Sequence, residues 1–228
     1  MDRFAYQSHR VSTIAMHVTR IIAIRHGETT WNVDGRIQGH LDVPLNDTGL
    51  WQAEQAARAL VHEPIAAIYS SDLQRAYATA QALARTAQAE LHAEPELRER
   101  CFGQFQGHTF KEVELSHPEA AQRWRKRDPE NVLPGGGESL AMLRARIART
   151  VDRIASRHEG QQIVLVAHGG VMDTLYRLAT RQDLQAPRTW ELTNAAINRL
   201  LWTPEGLSLV GWADTAHLSP DSRDEIHS

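Results

Sequence analysis

The sequence predicts one α/β domain, a three-layer sandwich whose mostly parallel central sheet carries an antiparallel edge strand. Two observations lead to this fold class. Apolar, strand-like runs alternate with amphipathic helical segments along most of the chain, which is typical of a parallel sheet covered by helices on both faces. The 228 residues, of which 42% are hydrophobic, are enough for one large domain with a sizeable core.

The first half of the chain predicts two strand-helix units and a third strand. A β-branched run at residues 21–24 ends abruptly in His26 and Gly27, as a buried strand does where it enters a functional loop. The expected elements are, in order, a strand over 21–24, a helix over 46–61 capped by Asn46, a strand over 66–69, a helix capped by Ser70, Ser71 and Asp72 that runs to about residue 89, and a strand over 91–93.

The second half begins with an irregular segment in which Gly103 and Gly107 bracket two phenylalanines, and it predicts a loop or lid. The remaining expected elements are a polar helix-like segment over 109–127, a break at 134–137, a helix over 138–158, a buried strand over 163–167, a helix to about residue 180, and a closing hairpin with strands over 198–202 and 207–211. We assign residues 1–19 to a flexible extension, 20–213 to the domain and 214–228 to a loose tail.

Composition narrows the function classes. The net charge of −3 gives no electrostatic reason to expect nucleic acid or an anionic membrane as a partner, so a small molecule is the expected ligand. The single cysteine excludes an internal disulfide framework and favours a cytoplasmic location. The first residues lack the apolar centre of a signal peptide, and the later apolar runs are too short to cross a bilayer. The sequence leaves a homo-oligomer open.

Two histidines directly follow predicted strands, and the carboxyl ends of parallel strands border the ligand crevice of such sheets. His26 lies between Arg25 and Gly27, where a cation stands beside an imidazole and glycine lets the backbone approach an oxyanion. His168 precedes two glycines at a predicted helix N-terminus, which attracts anions. Arg75, in the first turn of its helix, points toward the same crevice. Phosphoryl transfer requires such a nucleophile and such cations.

Five ordered motifs resemble the histidine phosphatase (phosphoglycerate-mutase-like) superfamily. They are Arg25-His26-Gly27-Glu28-Thr29 with Asn32, Ser70-Ser71-Asp72-Leu73 with Arg75 and Ala76, Leu97-Arg98-Glu99 with Gly103 and Gly107, Gly137-Glu138-Ser139, and Val166-Ala167-His168-Gly169. Together they span most of the chain, and their common order is far more specific than an isolated Arg-His-Gly triplet. The resemblance implies a phosphoglycerate-mutase-like fold and an enzyme that uses neither a metal nor another cofactor.

The resemblance also implies a role for each matched residue. His26 becomes the phosphohistidine, and Glu99 is the proton donor. The groups that bind the phosphoryl oxygens are Arg25, Arg75 and His168, and further phosphate or substrate contacts come from Asn32, Gln38, Gly39 and the backbone of Gly169. Gln106 departs from the pattern, because many phosphatases of this family carry Glu before the glycine. The departure bears on the choice of substrate more than on catalysis.

Rival phosphatase chemistries leave no trace in the sequence. A cysteine-dependent enzyme needs an arginine six residues after its cysteine, and that position after Cys101 is Gly107. No paired-Asp motif, no Gly-Lys-Ser/Thr phosphate loop and no His-Glu-x-x-His zinc motif is present.

The candidate residues could also have purely structural roles, since most of the 12 histidines are expected at the surface or as hydrogen-bonded core residues. Arg75 also fits a helix-surface charge, and Glu99 fits a solvated charge-rich stretch.

Three functions remain open. A phosphatase lets water attack the phosphohistidine, a phosphoglycerate mutase lets a bound hydroxy acid take the phosphoryl group back, and an inactive module only binds phosphate. The complete set of reactive groups disfavours the last. The short 109–137 segment favours the phosphatase, since mutases of this family carry a longer insertion there.

A basic cluster, formed by Arg123, Arg125, Lys126 and Arg127, fits either a second anion site or a solvated helix face. The substrate is left as a small phosphorylated metabolite.

Overall fold

The computed structural model describes residues 18–219. Its strands and helices, in chain order, are β1 (Thr19–Arg25), α1 (Thr30–Val33), α2 (Asp47–Ala59), β2 (Ala67–Ser70), α3 (Gln74–Ala87), β3 (Glu90–Ala93), α4 (Phe110–Ser116), α5 (Pro118–Arg125), α6 (Leu140–Ala155), β4 (Gln162–Ala167), α7 (Gly169–Thr180), β5 (Ile197–Thr203) and β6 (Gly206–Asp214). Among these residues, no helix combines the length and the apolar character needed to cross a bilayer.

The strands form one six-stranded sheet in the order β3-β2-β4-β1-β5-β6. β3, β2, β4 and β1 run parallel to one another, whereas β5 runs antiparallel to β1, and β6 antiparallel to β5. The short turn between Thr203 and Gly206 accounts for the last pairing, because only antiparallel strands can be joined by a tight hairpin. The predicted sheet, with its antiparallel hairpin at one edge, is confirmed.

Helices cover both faces of the sheet, so the predicted three-layer sandwich is also confirmed. Successive side chains of a strand point to opposite faces. Ile22 and Ile24 of β1 therefore pack with α2 and α3, while Ile21 and Ala23 pack with α6 and α7. All six residues of β4 are buried, as expected for a central parallel strand.

Two local expectations were wrong. The residues Ser70–Asp72 do not cap α3, whose N-cap is Leu73 with no side-chain hydrogen bond. The polar helix expected over 109–127 is two helices, α4 and α5, which meet at His117. Pro118 explains the break, because proline has no N–H to continue the hydrogen bonds of α4 but is favoured in the first turn of a helix.

The domain boundaries can be compared with the structure only in part. Most of the expected extension and tail lies outside the described residues. β1 begins at Thr19, and after β6 a short 3₁₀ turn covers Ala216–Leu218. Within that turn, the His217 ring contacts the carbonyl oxygen of Ala195 at 3.1 Å.

The segment that follows β3 builds a small core of its own above the carboxyl end of the sheet. Phe105, Val113, Ala121 and Leu133 are buried together there. Trp124 stacks on Phe102 with ring centroids 5.1 Å apart. The predicted lid is therefore a packed unit rather than an extended loop.

A backbone contact between two glycines fixes the loop after β1 on the start of α2. A Cβ atom on Gly27 would lie 2.3 Å from the carbonyl oxygen of Gly49, and one on Gly49 would lie 2.1 Å from the carbonyl oxygen of Glu28. Real Cβ atoms do not approach backbone atoms so closely. Glycine at both positions therefore sets where His26 enters the site.

Gly49→Ala should destabilise the protein by about 1–3 kcal/mol, because the added methyl group must displace backbone. Helix propensity alone predicts the opposite sign, since Ala in a helix is about 1 kcal/mol more stable than Gly. Urea unfolding measures the difference. Gly211→Ala is the matched control, because a Cβ atom there meets open space. A Gly49→Ala protein as stable as the wild type would contradict the packing role.

Candidate active site

The carboxyl ends of three adjacent strands bring the predicted residues together. His26 follows β1, Ser71 follows β2, and His168 follows β4. Backbone hydrogen bonds extend this alignment past the strands, from His26 to Ala167 at 2.9 Å and from Ser71 to Val166 at 3.0 Å. The two imidazole rings consequently lie with their centroids 5.2 Å apart.

His26 is buried, with 3% of its surface exposed, and its orientation is set by backbone groups. The Nδ1 atom lies 2.7 Å from the carbonyl oxygen of Gly27. A carbonyl can only accept, so Nδ1 carries the proton and Nε2 holds the free lone pair. The side-chain amide of Asn194 donates to the His26 carbonyl at 2.8 Å and steadies the loop from the far side.

His168 is fully buried at the N-cap of α7. Its Nε2 atom lies 2.8 Å from the hydroxyl of Ser71, and its Nδ1 atom has no partner in the described part of the chain. The Ser71 hydroxyl, which we expected to cap a helix, orients this imidazole instead. Ser71 lies 97 residues away in the sequence, so no local pattern could have revealed the contact.

Arg75, which is buried, and Arg25, which is partly buried, flank the histidines, and each donates to carbonyl groups rather than to a carboxylate. Arg25 donates from Nη1 to the carbonyl oxygen of Leu192 at 2.5 Å. Arg75 donates to the carbonyl oxygens of Leu41 and Gly39 at 2.8 and 2.7 Å. Both Nε atoms are buried without a partner among residues 18–219. Within residues 18–219 neither guanidinium forms an ion pair with a carboxylate, and Glu99 acts on both only through its charge.

Burial and mutual repulsion depress the pKa values of these groups. Burial lowers the pKa of Arg75 to about 10 and also lowers that of Arg25, yet both remain protonated at neutral pH. The pKa of His26 falls well below 6.5, first because of burial and then because of the charges of Arg25 and Arg75. Burial and the same arginines lower the pKa of His168 in the same way. Both imidazoles are therefore neutral at pH 7, and neutral imidazole is the nucleophilic form.

Glu99 projects its carboxylate onto the N-terminus of α7. The Gly170 N–H donates to both carboxylate oxygens at 3.0 and 3.1 Å, and the Arg100 N–H donates to Oε1 at 2.7 Å. A Cβ atom on Gly170 would lie 2.3 Å from Oε1, so only glycine allows this approach. Glu99 is thus a positioned residue and not part of a solvated charge-rich stretch.

Arg146 of α6, which forms an ion pair with Glu138, holds the segment that carries Glu99 in place. Arg146 pairs with Glu138 at 2.8 Å and donates to the carbonyl oxygens of residues 96, 98 and 99. The second partner of Glu138 is the Cys101 N–H, at 2.9 Å. His40 adds a contact from its Nε2 to the Glu99 carbonyl oxygen at 2.8 Å. Sequence reasoning noted Glu138 only as part of a motif and missed Arg146, whose partners are distant in the chain.

The structure brings most of the predicted residues to one small cavity. The cavity has a volume of about 170 Å³, and the predicted residues that line it are Arg25, His26, Asn32, Gln38, Gly39, Arg75 and Glu99. Gly169 lines a larger neighbouring cavity of about 490 Å³, which shares Arg25 and Phe102 with the first. The two cavities are therefore adjacent. Of the predicted phosphate ligands, Arg25 and Arg75 line the smaller one, whereas the buried His168 is not a lining residue of either.

Gly27 and Gln106 have structural partners. The Gly27 N–H donates to the Thr79 hydroxyl at 3.0 Å. The Gln106 Oε1 atom accepts from the backbone N–H of His40 at 2.8 Å and so ties the lid to the loop after α1. A Cβ atom on Gly39 would collide with this oxygen at 2.1 Å, which explains the glycine there. Within residues 18–219, no group of three or more His, Cys, Asp and Glu side chains is arranged to hold a metal ion.

Comparison with known proteins gives consistent matches. The family model described as "Histidine phosphatase superfamily (branch 1)" matches residues 21–215. A metal-independent phosphoserine phosphatase of Arabidopsis thaliana is 39% identical, over 90% of this chain and 86% of the relative. Phosphoglycerate mutase-like protein 4 of the same species is also 39% identical, over 87% and 86%.

The solved structure of Entamoeba histolytica phosphoserine phosphatase in complex with 3-phosphoglyceric acid has a TM-score of 0.79 to this chain. The two chains are 30% identical, and the match covers 88% of this chain and 100% of the chain in the solved structure. This likeness agrees with the predicted fold class.

The buried neutral histidines predict that stability falls on acidification below about pH 6.5. The unfolded chain takes up protons on His26 and His168 near their ordinary pKa of 6.5, whereas the folded chain does not. Because the unfolded state binds more protons, the free energy of unfolding decreases as the pH falls. Each histidine contributes a slope of up to about 1.4 kcal/mol per pH unit.

Urea unfolding between pH 7 and 5 measures this slope. His168→Asn should make it shallower by the share of one histidine, and the exposed His62→Asn should leave it unchanged. A slope that is the same in all three proteins would show that the buried imidazoles are protonated in the folded state.

Proposed function

Because the chain belongs to the histidine phosphatase superfamily, we propose that it is a phosphomonoester phosphatase that works through a phosphohistidine on His26. The observation that carries this proposal is the neutral His26 imidazole, whose unprotonated Nε2 lies in a cavity with Arg25 and Arg75, neither of which forms an ion pair within residues 18–219. A dianionic phosphoryl group would complete this charge arrangement. The expected roles of the other site residues follow from the same geometry.

The first step is transfer of the phosphoryl group from the ester oxygen to His26. Nε2 attacks phosphorus while the bond to the ester oxygen breaks, and the leaving oxygen takes a proton from the Glu99 carboxyl group. Arg25, Arg75 and His168 bind the three phosphoryl oxygens as charge moves onto them. The backbone N–H of Gly169, at the positive end of α7, adds to this stabilisation.

The second step restores the enzyme. Water attacks the phosphohistidine, its proton passes to the Glu99 carboxylate, and the bond between phosphorus and Nε2 breaks to release inorganic phosphate. His26 returns to its neutral form with Nδ1 still bound to the Gly27 carbonyl. A mutase would follow the same first step and then transfer the phosphoryl group to a bound hydroxy acid.

We favour hydrolysis over mutase activity. The segment between Thr109 and Gly137 holds only the two short helices α4 and α5 in addition to turns, whereas shielding a phosphohistidine from water calls for a longer cover. The mutase remains the second candidate because several relatives carry mutase or mutase-like names. The names of the similar proteins favour small phosphorylated acids, such as phosphoserine, as substrates. A cytoplasmic location stays a prediction, and a homo-oligomer stays open.

Substrate turnover should form a phosphoenzyme on His26 without a divalent metal, because the arginines and the helix N-terminus supply the positive charge. Rapid quench with labelled phosphoserine, in buffer containing EDTA, should trap an adduct that is labile in acid and stable in base. His26→Ala should form no adduct and lose activity. His62→Ala is the matched control on the exposed surface. Activity that disappears in EDTA and returns with Mg²⁺ would refute the metal-free mechanism.

Glu99→Gln should slow hydrolysis of alkyl phosphates by about 10²–10⁴, the usual contribution of a positioned general acid. The loss on p-nitrophenyl phosphate should be much smaller, because nitrophenolate leaves without protonation. Steady-state rates on both substrates measure the difference. Equal losses on the two would assign Glu99 to positioning of other groups.

A further inference from the structure

The larger cavity beside the phosphate site is rich in arginine. Its charged lining residues are Arg25, Arg100, Arg127, Arg188, Asp173 and Glu191. The Asp173 carboxylate is already engaged, because Arg127 and Arg177 both donate to its Oδ2 atom, at 2.7 and 3.0 Å. Arg100 and Arg188 therefore contribute positive charge to the cavity beyond what its carboxylates offset.

The basic cluster Arg123, Arg125, Lys126 and Arg127, which fits either a second anion site or a solvated helix face, does not line the larger cavity as a unit. Arg123 pairs with Asp128 at 2.8 Å, and Arg125 pairs with Glu114 at 2.5 Å, both at the protein surface. Of the four residues, only Arg127 lines the cavity. A second anion must therefore be bound mainly by arginines outside that cluster.

Among the arginines that line the larger cavity, Arg188 is the one with no hydrogen-bonding or ion-pair partner in the described part of the chain. It is exposed on the segment between α7 and β5, and no hydrogen bond or ion pair to it is found within residues 18–219. It is close enough to Arg25 for their like charges to interact. Two guanidinium groups around one cavity repel each other unless an anion lies between them.

Arg100 forms a fixed wall of the same cavity. Its Nε donates to the Glu138 carbonyl oxygen at 2.9 Å, and its guanidinium stacks over Phe102 and Trp124. Burial lowers the pKa of Arg100 to about 10, so the group stays charged at neutral pH. Its position on the rigid aromatic pair means that little side-chain freedom is lost when a ligand binds.

We propose that Arg188, which lines the same cavity as Arg100, determines specificity by binding a carboxylate on the part of the substrate that is not transferred. The inference deepens the proposed function and rests on it for the position of the phosphoryl group. A planar carboxylate fits the fork of one guanidinium, which can donate two parallel hydrogen bonds to it. A single unpaired arginine suits this ligand better than a second phosphate group, which would call for several cations.

Binding measurements test the subsite without turnover, so their outcome does not depend on whether the phosphohistidine mechanism is correct. Calorimetry on His26→Ala compares 3-phosphoglycerate with glycerol 3-phosphate, which has a hydroxymethyl group in place of the carboxylate. Adding Arg188→Gln should weaken 3-phosphoglycerate binding by about 10-fold to 100-fold, the usual loss of hydrogen bonds to a charged group. Glycerol 3-phosphate binding should not change.

Controls separate this role from general electrostatics. Arg58→Gln removes an exposed arginine on α2 that lines neither of the two cavities, and it should affect the binding of neither ligand. The same comparison of substrates in the wild-type background, read as KM, covers the case in which His26→Ala does not fold. Equal weakening of both ligands by Arg188→Gln, or of neither, would overturn the proposal. A loss confined to fructose 1,6-bisphosphate over fructose 6-phosphate would assign Arg188 to a second phosphate group instead.

Discussion

The site depends on one electrostatic constraint, which is that two arginines and two histidines lie together at the strand ends, largely removed from water, and within residues 18–219 neither arginine forms an ion pair with a carboxylate. Such a group is costly to desolvate, and the fold offsets the cost with carbonyl oxygens. Leu192, Leu41 and Gly39 supply these carbonyls from loops that the strand ends bring together. The histidines respond by staying neutral, which leaves His26 nucleophilic. We propose that the phosphoryl group of a substrate is the anion that completes the arrangement.

Precise backbone contacts keep this arrangement in place. Gly27 and Gly49 allow the loop after β1 to lie against α2, and Gly170 allows Glu99 to reach the N-terminus of α7. Arg146 and Glu138, with side-chain exposures of 12% and 16%, then hold the Glu99 segment from the side of α6. His26 and Glu99, the proposed nucleophile and acid, are thereby fixed to the same scaffold.

The two adjacent cavities suit different parts of a substrate. The smaller one is lined by the groups that we propose act on the phosphoryl group. The larger one is lined by Arg100, Arg188, Phe102 and Trp124, and we propose that it discriminates among the groups attached to the phosphate. Members of one superfamily can therefore keep the same chemistry while their substrates differ.

Sequence patterns alone determined the order of the elements and the position of the site. Hydrophobic periodicity is local, so it located the strands, and the abrupt change to Arg25-His26-Gly27 marked where the chemistry begins. The roles of Glu99 and Asn32 came from the resemblance of ordered motifs. Tertiary structure decided the rest. Ser71, Asn194 and Arg146 could not be found from the sequence, because each contacts the site across a long stretch of chain. Packing likewise decided which arginine of the basic cluster lines the larger cavity. The sequence shows that the cluster is charged, but it does not show which of its members form ion pairs at the surface.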